Sequence, residues 1–568
     1  MISLIRFKPE RRIARSRDEN LTTLLLYLLL GLLAVAVLLP LAAILGKALT
    51  DDAGQFAGLA QISRTLSRPG LWPAVMGSLH IALSTTLLVL PLAYGYAAAM
   101  TRVQLPLRSL FRMLALLPLL APSLLPGISL VYLFGHQGLL KTWFPDGGIY
   151  GFSGIVLGEA FYTFPHALMI LLTALAVGDG RLYEAARTMG AGRLRQFLTI
   201  TLPGSRYGLV SAALVVFTLT ITDFGVAKVI GGQYPVLAVE AYKQVIGQQD
   251  FPQGAVIGLM LLLPAILSCV VDRHLQGRQQ SMVSAKAQPL QVLKGWSARL
   301  VALCFCSLLG LALLGLLGAA IAAAFIKLWP YQMQFSLAHF DFDNMDGGGW
   351  LAFANSLKMA GATALLGTAT VFLGAWCSCK LRCQAGSGRL LHTIAMLPMA
   401  VPGLVLGLGY IFFFNSNSNP LHGLYGSMSL LVLCSVAHYY TTAHMTARTA
   451  LAQLDADFEA VAASLKVPLW VTLWRVTLPA CLPAVLEIAR YFFVSAMTTV
   501  SAVIFLYTPD NVLAAVAVLN MDDAGETAAA AAMATLIVVS SAMVCLLFAL
   551  LSHCLLKHSQ AWLHHNSD

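Results

Sequence analysis

Residues 184–190, Glu-Ala-Ala-Arg-Thr-Met-Gly, and the Ile-Thr-Leu-Pro at 200–203 form a polar, basic interruption in a mostly apolar chain. Apolar side chains recur here at intervals of three and four residues, at Leu182, Ala185, Ala186 and Met189. This spacing predicts one apolar helix face, and Gly190 stands where glycine commonly ends a helix. A second short amphipathic run ends at Leu202 and Pro203. The stretch therefore predicts a helix–turn–helix outside the bilayer, between two long apolar segments.

The composition places the chain among polytopic membrane proteins. Of its 568 residues, 58% are hydrophobic and 11% charged, and its mean hydropathy is +0.78. Soluble domains are about 45–50% apolar and about 25% charged. A net charge of +10 is compatible with nucleic acid or anionic lipid. In a membrane protein, however, the placement of Lys and Arg matters more than their total, and we expect no nucleic-acid partner.

Twelve segments are long and apolar enough to span a bilayer, which takes about 20 residues. They are 21–46, 74–100, 107–134, 151–177, 207–231, 253–271, 299–326, 351–376, 388–414, 424–447, 481–507 and 527–556. The first is too long for a signal-peptide core and follows a basic tail at 1–20. Most of the 35 Lys and Arg residues fall in segments that this layout puts on the same side of the membrane as that tail. The positive-inside rule therefore predicts cytoplasmic N- and C-termini.

The chain is duplicated. Leu117-Pro118 recurs as Leu397-Pro398, an offset of 280, and Thr201-Leu202-Pro203 recurs as Thr477-Leu478-Pro479, an offset of 276. A nearly constant shift predicts two six-helix units, at 21–271 and 299–556, with a linker at 272–298 and a tail at 557–568. Because each unit has an even number of spans, the repeats are predicted to be parallel. The predicted fold class is all-α, with twelve transmembrane helices.

The second copy of the loop, at 455–479, keeps the apolar spacing of the first copy but differs from it at the other motif positions. Its apolar residues stand 276 positions after those of the first loop, at Phe458, Val461, Ala462 and Leu465. Ala460 replaces Glu184, with an acid one place earlier at Glu459, and Lys466 replaces Gly190. Leu478 and Pro479 repeat the end of the first loop. We therefore expect two unequal loops.

The first loop, at 179–203, resembles the EAA loop of ABC importer permeases, because Glu184, Ala185, Ala186, Gly190 and Pro203 stand at that motif's spacing. The resemblance implies a type I importer permease with two coupling helices that dock on separate ATPase subunits. In the first loop it assigns coupling to Glu184, Ala185, Ala186, Met189, Gly190, Leu202 and Pro203. In the second it assigns coupling to Phe458, Glu459, Val461, Ala462, Leu465, Lys466, Leu478 and Pro479.

Two fused copies resemble the ferric iron, thiamine and phosphonate group of these permeases. Distinctive strings of the second half are similar to permeases assigned to 2-aminoethylphosphonate uptake; they are 463–468, 498–505 and 518–525. Thr222-Asp223-Phe224-Gly225 in the first half is shared more widely. The resemblance thus implies 2-aminoethylphosphonate or a related phosphonate as substrate, with ferric iron or thiamine as the alternative.

The chain itself is not expected to be an enzyme. It lacks the Gly-x-x-x-x-Gly-Lys-Ser/Thr loop that cradles nucleotide phosphates, so ATP and magnesium are expected on the partner and no cofactor on this chain. The expected partners are two cytoplasmic ATPase subunits, a periplasmic binding protein and the bilayer of the bacterial inner membrane. A different class, a twelve-span transporter driven by an ion gradient, stays open but leaves the Glu184 loop unexplained.

Acids within predicted spans are candidates for a substrate pathway, because a charge at the helix centre costs about 2.5–3.5 kcal/mol on insertion scales. Glu159 and Asp223, with Lys228, form the candidate lining, and hydrogen bonding between helices is the alternative role. Glu487 and Arg490, three residues apart, are predicted to pair with each other.

Prolines interrupt the third span of each unit, at Pro118, Pro122, Pro126, Pro398 and Pro402. They predict kinks, either as a gate or as a purely structural feature.

Overall fold

A computed structural model describes residues 17–51, 53–145, 148–176, 178–282, 295–344, 347–380, 385–455 and 457–559. Most of these residues are helical. Helices satisfy their own backbone hydrogen bonds, which a lipid environment requires. Three parts of the chain lie outside the described residues: residues 1–16 of the predicted N-terminal tail, residues 283–294 of the linker and residues 560–568 of the C-terminal tail.

The described residues of the first unit form thirteen α-helices. They are α1 Arg17–Leu33, α2 Leu39–Ala48, α3 Leu59–Leu66, α4 Leu71–Arg102, α5 Arg108–Leu116, α6 Leu124–Phe134, α7 Phe152–Ala176, α8 Gly180–Thr188, α9 Arg193–Gln196, α10 Leu202–Thr222, α11 Gly225–Ile230, α12 Leu237–Tyr242 and α13 Phe251–Met282. A π-helical turn at Ala34–Leu38 joins α1 to α2. Helix α13 extends the sixth span into the predicted linker, so the linker's first residues are helical rather than flexible.

The second unit contains eleven α-helices among the described residues and one small sheet. The helices are α14 Trp296–Phe325, α15 Gly349–Lys380, α16 Ala385–Ala395, α17 Gly403–Phe414, α18 Met428–Ala452, α19 Asp457–Ser464, α20 Leu469–Thr472, α21 Leu478–Ala480, α22 Leu482–Thr498, α23 Ala514–Asp523 and α24 Thr527–Ser559. Strands β1 Ile326–Leu328 and β2 Gln332–Phe335 form an antiparallel hairpin, which the all-α expectation missed.

Eight helices of the described residues are long and apolar enough to cross a membrane, or eleven spans if each of three bent pairs counts as one. The expected twelve are therefore not all recovered. The missing segment is 424–447, where α18 forms a 25-residue helix that contains the polar residues His438 and His444. Its polar side chains lower its hydropathy, although Leu430, Cys434 and Ala437 are buried.

The third span of each unit is broken, as its prolines predict. Residues 108–120 and 124–134 meet at 103°, and residues 386–400 and 403–414 meet at 112°. Pro122 and Pro402 stand at the two breaks, and proline cannot donate a backbone hydrogen bond. The fifth spans also depart from prediction, because helix ends at Thr222 and Thr498 rather than continuing to 231 and 507.

The first helix of each unit packs against the opposite unit. In the first unit, α2 lies against α17, where the Tyr410 hydroxyl donates to the Ala36 carbonyl at 2.9 Å. In the second unit, α14 lies against α6, and the Trp329 indole just beyond α14 donates to the Tyr132 carbonyl at 2.8 Å. This exchange ties the two units into one bundle.

Candidate functional site

The first loop folds as the predicted helix–turn–helix, and its first helix has a specific cap at each end. The Asp179 side chain accepts from the Arg181 backbone N–H at 3.1 Å at the start of α8. At the other end Gly190 adopts a left-handed φ of +72°. Gly190 N–H donates to the Arg187 carbonyl at 2.9 Å, and Ala191 N–H to the Ala186 carbonyl at 2.9 Å. These two bonds satisfy carbonyls that a helix end leaves free.

The first loop is also fixed to the bundle by side chains. The Tyr183 and Thr201 hydroxyls are 2.8 Å apart, which joins α8 to the segment before α10. The Arg102 guanidinium at the end of α4 lies 4.9 Å from the centre of the Tyr183 ring. Arg102, Arg187 and Arg193 line a cavity of about 550 Å³ beside Glu184. The loop therefore presents an ordered, positively charged recess.

The second loop reproduces this turn without its glycine. Lys466 takes the left-handed conformation with a φ of +54°, and Val467 N–H donates to the Ala462 carbonyl at 2.9 Å. The replacement of glycine by lysine therefore leaves the turn in place, with the same backbone hydrogen bond at the helix end. A lysine side chain is strained in this region, where glycine is not.

Most of the predicted apolar positions in both loops face outward, and Ala186 is the buried exception. Exposed side chains on the two loops are Leu182, Met189, Leu194, Phe458, Val461 and Leu465. Met189 is 79% and Leu465 69% exposed. The side chain of Glu459 lies outside what the structure describes. Exposed apolar groups clustered on one surface mark interaction sites.

The two loops connect differently to their following spans. Each passes through a π-helical turn, at Phe197–Thr201 and Leu473–Thr477. After the first turn, residues 193–222 form one continuous span. After the second, the helix bends by 76° between Ala480 and Leu482. Pro483 follows this bend where the first unit has Tyr207, and its missing N–H accounts for the break.

The structure brings Glu159 and Asp223 together in the membrane interior. Both side chains are buried, with Glu159 1% exposed, and their carboxyl groups share a hydrogen bond. Such a bond requires one of the two carboxyls to carry a proton. The other Asp223 oxygen accepts from the Val226 backbone N–H at 2.9 Å and thereby caps α11. Glu159 Oε2 has no hydrogen-bond partner among the described residues.

The predicted lining by Asp223 together with Lys228 stays a prediction. In the structure, Lys228 Nζ lies 2.9 Å from Asp523 Oδ1 of the second unit and 5.8 Å from the Tyr242 ring centre. The expected pair of Glu487 and Arg490 is present.

Sequence reasoning missed the residues of the second unit that lie near Lys228 and near the Glu159–Asp223 pair. Next to Lys228 and Asp523, the pKa of Asp522 is raised to about 6, mainly by burial and in addition by the Asp523 charge, while Lys228 opposes both. Tyr162 lies near Glu159 and Asp223 and also near Tyr439 and Tyr491 of the second unit. The only available sequence signal was the run Asn520 to Gly525, which carries two adjacent acids.

Potential metal-ligating side chains do not cluster in the described part of the chain. Within the described ranges, no group of three or more His, Cys, Asp or Glu residues is placed to hold a metal ion. The half-buried His392 and the buried His444 form a pair, with Nδ1 and Nε2 3.3 Å apart. Cys383, which neighbours His392 in sequence, falls outside the described residues.

Comparison with known families gives two matches along the chain. The family described as "Binding-protein-dependent transport system inner membrane component" matches residues 91–281 and again residues 371–555. Together the matches cover more than half of the chain and correspond to the two repeats.

Individual relatives carry several transport names. A ferric transport system permease protein, FbpB, from Actinobacillus pleuropneumoniae is 28% identical over 510 residues, 86% of this chain and 72% of the relative. A thiamine transport system permease protein, ThiP, from Escherichia coli K12 is 27% identical over 359 residues, 61% of this chain and 64% of the relative. A molybdenum transport system permease protein, ModB, from the same strain is 33% identical over 158 residues, 27% of this chain and 69% of the relative.

Proposed function

The chain belongs to the family of binding-protein-dependent transport system inner membrane components, and from this premise we propose that it is the translocation subunit of an ATP-driven bacterial importer. One observation supports the proposal above others. Two capped helices, α8 and α19, stand at equivalent positions of the two repeats and present outward apolar side chains. Two identical or similar ATPase subunits would find one docking helix each.

Docking at α8 would combine apolar contact with charge. Leu182 and Met189 offer exposed apolar surface, and the recess lined by Arg102, Arg187 and Arg193 offers positive charge. Arginine, tyrosine and large apolar side chains carry most of the binding energy of protein interfaces. In this proposal Glu184 and Gly190 fix the helix, while Leu202 and Pro203 start the span that receives the motion.

Energy would enter as movement of the two loops. The first loop continues into one unbroken span, whereas the second meets a 76° bend. A rigid connection transmits a displacement directly, but a bent one absorbs part of it. We therefore infer that α8 and α10 act as the main lever, and that α19 to α22 follow with a smaller rotation. ATP and magnesium stay on the partner subunits.

The orientation in the inner membrane follows from charge. The basic tail at 1–20 and the basic loops support a cytoplasmic location for both termini and both docking helices. The opposite side then faces a periplasmic binding protein, which would deliver the substrate. The unit boundaries 21–271 and 299–556 remain part of this proposal.

Ferric iron is the better-supported substrate. The relative that matches most of the chain among those described is named for ferric transport, whereas none of the described relatives is named for phosphonate. The strings at 463–468, 498–505 and 518–525 keep 2-aminoethylphosphonate as the second candidate. Calorimetry of the cognate binding protein separates the two: tight ferric binding with no heat from 2-aminoethylphosphonate supports iron, and the reverse supports the phosphonate.

Reconstitution tests the importer itself. Proteoliposomes that contain the chain, its ATPase subunits and its binding protein should accumulate substrate only when ATP is supplied on the side of the membrane that carries the ATPase subunits. Omission of either partner should abolish uptake. Uptake by the chain alone, driven by a proton gradient, would instead support an ion-driven transporter and contradict the proposal.

A further inference from the structure

We propose that Glu159 and Asp223 form a binding site for a positively charged group inside the translocation pathway, so that the permease itself selects cationic cargo over oxyanions. The inference rests on the proposed importer function and adds a substrate class to it. Metal cations and ammonium groups share the required chemistry. Molybdate and sulfate do not.

The site lies where two helix breaks meet. The third span breaks at Ser123, and the fifth breaks at Asp223 between α10 and α11. The two breaks touch, because Ser123 hydrogen-bonds Asp223 and packs against Gly225. Irregular backbone at membrane depth is tolerated where it is buried in protein or lines a cavity, and unwound segments in transporters supply ligands for cations.

The carboxyl pair retains a negative charge and an unused acceptor. If Glu159 and Asp223 share one proton, the pair still carries one negative charge. The Asp223 carboxyl group is hydrogen-bonded to the Val226 N–H, to Ser123 and to Glu159. Glu159 Oε2, on a side chain 1% exposed, has no partner in the described chain. A buried acceptor without a donor is costly to retain for stability alone, but it suits a ligand that arrives with positive charge.

The second unit closes the site from the other side with neutral groups. Tyr162 of α7 lies near Tyr439 and Tyr491, which belong to α18 and α22. At the positions that repeat Glu159 and Asp223, the second unit has Ser435 and Thr499. Tyr439 hydrogen-bonds Thr499. Charge is therefore confined to the first unit, and motion between the units would separate the tyrosines from the acids and open the pair to cargo.

Uptake by the complete reconstituted importer tests the site with three probes: ferric citrate, 2-aminoethylphosphonate and molybdate. We expect the wild type to accumulate one of the two probes that contain a positively charged group, the ferric ion of ferric citrate or the ammonium of 2-aminoethylphosphonate, which also distinguishes metal from ammonium. Glu159→Gln and Asp223→Asn keep size and hydrogen bonding but remove charge, and Asn can still cap α11. Each should lower that uptake at least about tenfold while ATP hydrolysis and yield in the membrane stay unchanged.

Glu487→Gln is the matched control, since Glu487 is also an intramembrane acid but pairs with Arg490. It should leave uptake unchanged. Full uptake in both site variants, equal loss in the control, or accumulation of molybdate alone would overturn the cation site. Absence of any uptake by the wild type would instead overturn the proposed function.

Binding of terbium(III) provides a second measurement that does not depend on transport. Tyr162, which interacts with both Glu159 and Asp223, is the expected sensitiser of terbium luminescence on excitation of tyrosine. The purified wild-type chain should show sensitised emission that the Glu159→Gln, Asp223→Asn double variant loses and Glu487→Gln keeps. Equal emission from all three would overturn the site even if a variant failed to assemble with its partners.

Discussion

Gly225 packs so closely against Ser123 that a Cβ atom at position 225 would overlap the Ser123 hydroxyl. The second unit reverses the two residues. Gly403 stands at the break of its third span, and a Cβ there would lie 2.6 Å from the Ser501 hydroxyl oxygen. Each unit thus joins its two broken spans through one glycine and one serine, in opposite order.

Gly225→Ala should destabilise the protein by about 1–3 kcal/mol, because overpacking forces neighbours out of place. Ser123→Gly in the same chain should recover part of the loss, since it removes the group that the new methyl meets. Thermal unfolding of the detergent-purified protein, followed by tyrosine and tryptophan fluorescence, measures both effects.

Gly361→Ala serves as the control for this prediction. Gly361 lies within α15, and a Cβ there meets nothing within 4 Å. Alanine should be neutral or stabilising at that position, because it has the higher helix propensity. If Gly225→Ala behaved like Gly361→Ala, the close contact between the two breaks would be contradicted.

Much of this architecture could be predicted from local pattern. The spacing around Gly190 indicated a helix and its end, the prolines at 122 and 402 indicated broken spans, and constant offsets indicated the duplication. Each of these signals depends on residues close in sequence or on self-similarity, which a single chain carries.

Contacts across the two units could not be predicted in this way. Lys228 pairs with Asp523 rather than Asp223 because the fold brings together residues from different repeats. Lys466 adopts the left-handed turn because the end of α19 requires it, against its own preference. The segment at 424–447, which the sequence predicts as a span, forms α18, where polar side chains that include the buried Tyr440 and His444 keep the helix less apolar than the candidate spans.

Exchange of the residues at the two helix ends should shift stability in opposite directions. Lys466→Gly should stabilise the second loop by about 1 kcal/mol, since glycine adopts positive φ without the steric cost of a side chain. Gly190→Lys should destabilise the first loop by a similar amount. Limited proteolysis at each loop reports local opening, and cleavage should slow in the first variant and accelerate in the second.

Lys466→Ala provides the comparison for that experiment, because it removes the lysine side chain but keeps a Cβ atom. It should leave the proteolysis rate close to that of the wild type. If alanine protected the second loop as well as glycine, the benefit would come from loss of the lysine charge, and the strained turn would not be its cause.

Asp522 should make stability depend on pH. Its folded pKa is about 6, above the ordinary value of 3.8, so the folded state disfavours the ionised form. Stability should therefore fall as pH rises from about 4 through 6. Asp522→Asn should raise the unfolding temperature at pH 8, by an amount worth at most about 2–3 kcal/mol, and should have little effect at pH 4.

Asp523→Asn tests whether that effect belongs to Asp522. Asp523 pairs with Lys228, but the Asp523 side chain is 47% exposed, so its loss should cost less than about 1 kcal/mol. The two substitutions should thus have opposite signs at pH 8. A stabilising effect of equal size from Asp523→Asn would show that relief of the mutual repulsion, rather than burial, sets the Asp522 pKa.

Changes in the two coupling loops should differ in severity. Glu184→Lys and Gly190→Pro should each reduce ATP-dependent uptake at least about tenfold, because the first loop continues directly into its span. Ala460→Lys, at the position that repeats Glu184, should reduce uptake less, since the 76° bend after α21 weakens the connection of the second loop. Membrane insertion should be unchanged in all three, as judged by yield in the membrane. Co-purification with the ATPase subunits distinguishes lost docking from lost transmission. Equal loss of uptake from both loops would show that the bend transmits motion as well as the unbroken span does.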